Sequence, residues 1–448
     1  MTQCPMAQFS KGFVRFTISV LLAAIAGCGS SAAPTVPNGH MYASNSFRPG
    51  SMAAFTVISG ALADITGSPF VTTGNAPFTV VAWPPFLPAP ATTAAGKFVF
   101  AGIPASSKGG VINRILKRPL NGSVTGGILM MPINSDHTLD KPQMFATGGD
   151  FDPVAVTPNP ANFLYAIDLT TNRLVAFSID NSKGTLTAIG PQGPPAGLAV
   201  GPDAFNVVVD PQGKFLFVAN CDCRTNPQNH GSVQVFSINA DGTLTLLGTF
   251  VPGGVATAQP IGLAVSPDNK FLFISSLEDK VYVESVTNGT LGDLGAVALP
   301  AGSMPVSIAL SIDGGNSVYT ANAGTQSVSF FLNCVTPLQM VASGTAACTN
   351  NSPPLLLQSN GNAAIGGAVG QIIADPSTVA ASTNTTAIAA GHFLYVTDYD
   401  QGNIAVLSIT STTACTSTSC PTTPGTISAS GRAVNTGGGN PFGIAFTE

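Results

Sequence analysis

The sequence predicts an all-β protein, a seven-bladed β-propeller with four antiparallel strands in each blade, on three observations. A pair of short strands, the first rich in aromatic residues, recurs along the chain. Only 8% of the residues are charged, against about 25% in ordinary soluble domains, while Gly (49) and Pro (35) are abundant. The final segment, "NPFGIAFTE", has the pattern of a strand that no turn follows.

The repeat is the strongest of these signals. Clear copies of the strand pair are "NFLYAIDLTTNRLVAFSID", "KFLFISSLEDKVYVESV" and "HFLYVTDYDQGNIAVLSIT", and more divergent copies begin at "HMYASN" and "KFVFAGI". A short strand such as "DPVAVTPNP" precedes each pair except the first, and a weaker strand such as "GTLTLLGTF" follows most of them. Four short antiparallel strands in each of seven repeats are the sequence form of a propeller.

The two ends of the chain are predicted to share one blade. The first repeat begins at His40 with its second strand, so it lacks a first strand, and the C-terminal segment can supply one. There Phe442, Ile444 and Phe446 alternate with small residues, as a buried inner strand requires. Pairing the termini would also remove the exposed edges of the first and last repeats.

The N-terminus is predicted to be a targeting signal that directs export of the chain. A basic segment with Lys11 and Arg15 precedes an apolar run of signal-peptide length. The segment ending in Cys28, "IAGC", resembles the bacterial lipobox, in which the cysteine is acylated. The predicted organisation is a lipoprotein signal peptide (1–27), a lipidated tether (28–39) and the propeller (40–448). A plain signal peptide with an incidental cysteine is the alternative.

The predicted location is the bacterial cell envelope, where the exported chain is lipid-anchored. The residue after Cys28 is glycine and not an acidic residue, which favours the outer membrane or the periplasmic side. Because the net charge is −5, the protein has no overall positive field that would attract nucleic acid, so no nucleic-acid partner is expected. The expected partners are the membrane, through the anchor, and an envelope protein or glycan. We expect a monomer without a cofactor.

Six cysteines lie after Cys28, and they form three pairs that are close in sequence. In an oxidising compartment disulfides are expected between Cys334 and Cys348 and between Cys415 and Cys420. Residues two apart in an extended strand are too far apart for a relaxed disulfide, so Cys221 and Cys223 can bond only if the chain turns sharply. A metal site that adds His230 to this pair matches no strong zinc signature, and no metal is predicted.

Two kinds of segment carry weaker hypotheses. The insertion from Ser106 to Gly127 gathers Lys108 with Arg114, Lys117 and Arg118, which suggests an anion-receiving lid over the channel or a solvated loop. Segments 342–370 and 410–439 are poor in charge and are interpreted as long surface excursions.

Polar residues follow the second strand of five repeats. They form either a polar ring that binds a cation or a sugar, or a set of caps that hydrogen-bond the adjoining turns. The second interpretation is favoured because one structural role explains the recurrence. These residues are Asn45, Asp168, Asn220, Asn322 and Asp398.

The segments "KFLFVAN", "FLYVTD" and "GALADITGSPF" resemble the YVTN-type repeats of the lactonase-like seven-bladed propellers, a family that includes 6-phosphogluconolactonase. The resemblance implies an active site near the channel built from His, Arg and Glu, in contexts such as G-P-R-H and N-E. This chain has "GPDAF" and Asn220-Cys221 in their place. The nearest match is "DLTTNR", whose Asp168 and Arg173 resemble a D-L-G-x-D-R element and are the weak catalytic candidates.

The sequence therefore favours a lipid-anchored envelope propeller that binds or scaffolds, since groups for proton transfer are scarce. The alternative is a hydrolase that opens a sugar-derived lactone.

Overall fold

The structure is a computed structural model. It describes residues 39–47, 49–58, 60–73, 76–85, 95–104, 126–146, 148–223, 231–311, 317–333, 357–375, 393–409 and 427–447. The predictions for Cys28, the tether, the basic insertion with Arg114, Lys117 and Arg118, His230, and the pairs Cys334–Cys348 and Cys415–Cys420 lie outside these residues. No helix in the described ranges is long and apolar enough to cross a bilayer.

The described residues form seven antiparallel sheets, which confirms the predicted propeller with four-stranded blades. Blade 1 contains β1 (Gly39–Asn45), β2 (Ser51–Ile58), β3 (Ala61–Asp64), the short β4 (Phe70–Val71) and the C-terminal β30 (Pro441–Thr447). Blade 2 contains β5 (Val80–Trp83), β6 (Phe98–Ile103), β7 (Gly127–Pro132) and β8 (Gln143–Phe145). Blade 3 contains β9 (Phe151–Val156), β10 (Phe163–Asp168), β11 (Arg173–Ile179), β12 (Leu186–Ala188) and the short β13 (Leu198–Ala199).

The remaining four blades each take four consecutive strands. Blade 4 contains β14 (Ala204–Val209), β15 (Phe215–Asn220), β16 (Ser232–Ile238) and β17 (Leu244–Phe250). Blade 5 contains β18 (Pro260–Val265), β19 (Phe271–Ser276), β20 (Lys280–Thr287) and β21 (Thr290–Ala298). Blade 6 contains β22 (Pro305–Leu310), β23 (Ser317–Asn322), β24 (Ser327–Asn333) and β25 (Leu357–Ala364). Blade 7 contains β26 (Val369–Ala374), β27 (Phe393–Asp398), β28 (Asn403–Ile409) and β29 (Ile427–Asn435).

The aromatic residues of the second strands explain why the blades pack. Tyr42 and Tyr165 lie at the centre of β1 and β10 and are fully buried. Each phenol also reaches the following blade: the Tyr42 hydroxyl donates to the carbonyl of His137 at 2.9 Å, and the Tyr165 hydroxyl donates to that of Gly242 at 3.0 Å. A large side chain with a polar tip thus fills the space between two blades and satisfies its own hydroxyl group.

The predicted closure of the ring is confirmed. Strand β30 pairs with β1 in antiparallel register, with Met41 opposite Phe446 and Ala43 opposite Ile444. Ile444 and Phe446 are buried in a cluster with Tyr395 of blade 7. One detail of the prediction is wrong. Phe442 is only partly buried, because it lies where β30 leaves the turn, and its ring packs against that of Phe78 at a centroid distance of 5.3 Å.

The interpretation of segments 342–370 and 410–439 as surface excursions is wrong in part. The first contains β25 and the start of β26, and the second contains β29. Strands β25 and β29 are the outermost strands of blades 6 and 7, where each pairs with one neighbour only. An outer strand forms through backbone hydrogen bonds to a single neighbour, so it does not require the apolar alternation of the inner strands.

Candidate functional site

A central channel runs along the innermost strands of all seven blades. Its cavity volume is about 440 Å³, and its wall is mostly aliphatic, with residues such as Val81, Val208 and Val265. Among the residues that the structure describes, no charged side chain belongs to this wall. A concave, largely apolar cavity with a few polar groups is the usual form of a small-molecule site.

The polar groups of the wall are concentrated at one level, which we call the collar. In each blade, one residue of the inner strand lies opposite the residue two positions before the end of the second strand; in blade 2 this is Val80, opposite Ala101. The collar residue is the one immediately before it in the sequence. The seven collar residues are Thr79, Pro153, Asn206, Gly262, Ser307, Gln371 and Gly443. Thr79, Asn206, Ser307 and Gln371 line the channel and are partly exposed.

The pairing of inner and second strands is irregular at the collar. Within the described residues, six of the seven sheets have a register shift at this level, and blade 2 is the exception. Such bulges locally bend a strand and re-aim its side chains, and they are frequent at the rims of closed sheets and beside binding sites. The bulges therefore help to explain why side chains at this level reach beyond their own sheet.

Three collar side chains form hydrogen bonds to the next blade. Ser307 Oγ accepts the N–H of Ile372 at 3.2 Å, and Gln371 Oε1 accepts the N–H of Ile444 at 2.7 Å. Thr79 donates both its hydroxyl and its N–H, the latter at 3.3 Å, to Asp152 Oδ1 of blade 3. Each bond connects adjacent inner strands at the channel wall.

The collar glycines are required by the close approach of adjacent blades. A Cβ atom on Gly443 would lie 2.2 Å from the carbonyl oxygen of Phe78 and 2.7 Å from the nitrogen of Val80. Contacts this short with backbone atoms cannot be relieved by a side-chain rotation. Blades 1 and 2 can therefore approach this closely only because no side chain is present.

Asp152 is a charged residue in direct contact with the wall that the sequence interpretation missed. It is 3% exposed, and its Oδ1 accepts both the hydroxyl and the N–H of Thr79 on the channel wall. The equivalent positions of the other blades hold Phe78, Phe205, Ile261, Val306, Gly370 and Phe442. Aligning "APFTVV", "AFNVVV" and "NPFGIAF" with "DPVAV" would have revealed a carboxylate where other blades are apolar.

Asp168, predicted as a weak catalytic candidate, ends β10 and is held by its own turn. Its Oδ1 accepts the N–H groups of Thr170 at 2.9 Å and Asp150 at 3.3 Å, and its Oδ2 accepts the hydroxyl of Thr171 at 2.8 Å. Arg173 lies opposite Asp168 in register, and its Nη1 donates to the carbonyl of Gly197 at 3.1 Å. Neither residue belongs to the channel wall as described.

The other residues of the proposed polar ring also form local hydrogen bonds. Asn322 Nδ2 donates to Ser329 Oγ at 2.7 Å, and Asp398 accepts the N–H of Gln401 at 3.2 Å. Burial raises the pKa of Asp398, and that N–H group partly offsets the effect. Asn45 and Asn220 are buried and bond Ser51 and Gln234. The two aspartates thus cap their turns as the second interpretation expects, whereas the three asparagines bond side chains of the adjacent third strand.

Cys221 and Cys223 form a disulfide across a sharp turn. Their Cα atoms are 5.1 Å apart, and Asp222 between them has a φ of +50°. The N–H of Cys221 donates to the carbonyl of Asp203 at 3.0 Å, which fixes the start of the turn. The sharp turn that a disulfide between these two cysteines requires is thus present. Neither sulfur is available as a metal ligand, because both are in the disulfide.

The family model for the seven-bladed β-propeller lactonases matches residues 120–412. No curated protein matches the sequence. Two similar solved structures are candidate 6-phosphogluconolactonases. The protein from Bacteroides fragilis is 16% identical, with a TM-score of 0.60 over 92% of this chain and 98% of the other. The protein from Bacteroides uniformis is 15% identical, with a TM-score of 0.56 over 92% and 100%.

A third similar structure is a periplasmic gluconolactonase from Pseudomonas aeruginosa, 14% identical with a TM-score of 0.55 over 91% of this chain and 99% of the other. At these identities the structures support the fold alone. The family model covers well over half of the sequence, and its fold agrees with the seven closed sheets described above. The chain therefore belongs to the lactonase family of seven-bladed β-propellers.

Proposed function

We propose that this protein is a lactonase-type hydrolase that opens a sugar-derived lactone at the central channel. Family membership and the activities for which the similar structures are named support this alternative over a pure binding role. The observation that carries the proposal is the contact between Thr79, on the channel wall, and the buried carboxylate of Asp152. Opening a lactone requires a base for the attacking water and hydrogen-bond donors for the developing oxyanion.

The Thr79–Asp152 pair can supply the base. The attacking water gives a proton to the Thr79 oxygen while the Thr79 hydroxyl proton passes to Asp152. The water oxygen bonds to the lactone carbonyl carbon, the ring C–O bond breaks, and the proton returns to the leaving oxygen. Because Asp152 is buried, it is kept from bulk water and acts through Thr79.

The test is turnover of a panel of aldonolactones by the full chain. We expect hydrolysis by the wild type and a loss of roughly 100-fold in kcat for Asp152→Asn and Thr79→Val, in the range of a general base. Thr397→Val is the matched control, since it removes another hydroxyl that connects two blades, through the carbonyl of Phe442 at 3.1 Å, and Thr397 is not among the channel-wall residues. Asp168→Asn should leave kcat unchanged, and wild-type kcat in the Thr79 and Asp152 variants would contradict the proposal.

A binding or scaffold role is the second candidate, and one observation favours it. Asp168 and Arg173 are engaged by backbone groups, and the channel wall carries no charged side chain in the described ranges. Crosslinking and pull-down from the native envelope would test this role. It is supported if an envelope protein or glycan is retained while every lactone of the panel is left intact.

We also propose that the protein is exported and anchored through Cys28. The lipobox-like segment supports this location, as does the Cys221–Cys223 disulfide, because disulfides persist in oxidising compartments. Metabolic labelling with a fatty acid should mark the wild type and not Cys28→Ala; equal labelling would exclude this anchor.

A further inference from the structure

We propose that the collar binds a neutral polyhydroxylated ring, through Asn206 and Gln371 above all. This inference deepens the lactonase function proposed above, on which it rests for its substrate class. It assigns to the channel an uncharged sugar lactone and not a phosphorylated one.

The hydrogen bonds between blades determine which polar groups of the collar are left for a ligand. Gln371 uses Oε1 to accept the N–H of Ile444, so its amide oxygen and nitrogen are distinguished and the NH₂ group remains as donor. Ser307 accepts the N–H of Ile372, so its own hydroxyl remains as donor. Thr79 donates its proton to Asp152, so its oxygen remains as acceptor.

Asn206 differs from these three because its amide forms no hydrogen bond to another residue in the described ranges. It lies at the same level of the wall in blade 4 and is partly exposed. An amide presents both a carbonyl acceptor and an NH₂ donor. The collar thus offers donors and acceptors together, as hydroxyl groups require, since each hydroxyl both donates and accepts.

The shape of the channel fits a ring of this kind. The cavity of about 440 Å³ lies within the range of about 300–1,000 Å³ that small-molecule sites occupy. The apolar residues Val81, Val208 and Ile373 lie two positions beyond collar residues, on the same face of their strands. They are partly exposed and can contact the C–H faces of a sugar ring. Pro153, Gly262 and Gly443 supply no polar side chain, so polar contacts are restricted to four blades.

The charge of the wall disfavours a phosphate group. The described part of the wall contains no Lys, Arg or His to balance it. The Asp152 carboxylate lies directly behind Thr79, and a negative charge brought into the same low-dielectric region is repelled. A neutral ring needs no cation on the wall and is not repelled by the Asp152 carboxylate.

The test measures binding separately from turnover. The probe is 1,5-anhydroglucitol, a neutral ring that cannot be hydrolysed, and its 6-phosphate is the charged comparison; both are titrated into the full chain by calorimetry. We expect the neutral ring to bind at least tenfold more tightly than its phosphate. Asn206→Ala should weaken binding about threefold to tenfold, as expected for one lost hydrogen bond.

Gln371→Glu separates binding from folding. The carboxylate can still accept the N–H of Ile444, but the donor to the channel is lost, so affinity should fall while the melting temperature is kept. Ser311→Ala is the crossed control, because Ser311 lies on the wall just beyond β22, away from the collar, and accepts the N–H of Ser317 at 2.9 Å. It should lower the melting temperature and leave the affinity unchanged.

Equal or tighter binding of the phosphate would overturn the inference, as would unchanged affinity in both Asn206→Ala and Gln371→Glu. Neither result would bear on turnover. If the neutral ring binds as described but no lactone is hydrolysed, the lactonase proposal fails and the collar site stands.

Discussion

The side chain of Gln371 accepts the backbone N–H of Ile444 at 2.7 Å, and this bond joins the inner strand of blade 7 to the strand that ends the chain. The hydroxyl of Thr397 donates to the carbonyl of Phe442 at 3.1 Å at the same junction. On the other side of β30, Ser44 Oγ accepts the N–H of Gly443 at 2.8 Å and donates to the carbonyl of Phe78 at 2.6 Å. The closure of the ring and the collar therefore depend on the same few residues.

Truncation after Gly439 should prevent cooperative folding. It removes β30 and with it Ile444 and Phe446, which are 2% and 4% exposed. Loss of the Phe446 side chain alone should cost about 3–5 kcal/mol, which is a large part of the stability of a typical protein. Removal of Glu448 alone is the control. A thermal melt of the truncated chain that matches the control would contradict the closure.

Gly443→Ala should destabilise the protein by about 1–3 kcal/mol, because the added methyl group must displace backbone atoms of blade 2. Gly292→Ala is the matched control: Gly292 lies on the outer strand β21, and its nearest neighbour is a single side-chain atom, the hydroxyl oxygen of Ser285 on β20. Chemical denaturation of the two variants measures the difference. Equal stability would show that blades 1 and 2 are not in close contact at the collar.

His137 should make the protein less stable in mild acid. Its ring stacks on that of His40 at a centroid distance of 3.4 Å, and burial lowers the pKa of His137, which Asp136 partly offsets. The folded state therefore binds this proton at lower pH than the unfolded state does, so stability falls as pH drops below about 6.5. His137→Asn keeps a residue that tolerates the φ of +63° and should flatten this dependence.

The effect of Asp136 on His137 has a matched control. Asp136 and Asp241 each accept the N–H and hydroxyl of a Thr two residues on, so Asn at either position weakens the same turn. Only Asp136→Asn should lower the pKa of His137 further, as followed by NMR titration. An equal shift in Asp241→Asn, or none in Asp136→Asn, would contradict the assignment.

The Cys221–Cys223 disulfide should be present in protein isolated from its native cells without reductant. A peptide that contains both cysteines should be lighter by two hydrogens before reduction and should resist alkylation until reduced. Ser at both positions should lower the melting temperature, because the Asp222 turn loses its crosslink. Ready alkylation of both thiols in the native protein would argue against an oxidising location.

The blades could be predicted because their second and third strands combine aromatic residues, alternation and turn residues. Strands β25 and β29 could not be predicted, since "LQSNGNAA" and "ISASGRAVN" lack apolar alternation. As outermost strands they form through backbone pairing with β24 and β28, which no local pattern reveals.

The collar could not be predicted as a site because it has no motif. Its residues come from seven distant segments and differ in type, and only the register of the sheets places them at one level. Asp168 and Arg173 stood out because they are close in sequence and resemble a family element, yet their side chains bond the local backbone. Asp152 belongs to no motif, and it became a candidate only when the structure placed it behind Thr79.

The most direct test of the account is a crystal structure of the protein saturated with 1,5-anhydroglucitol. We expect one ring in the channel, within hydrogen-bond distance of the Asn206 and Gln371 amides and beside the Thr79 hydroxyl. A ring bound on another surface, or a channel that contains only water at saturating ligand, would contradict it.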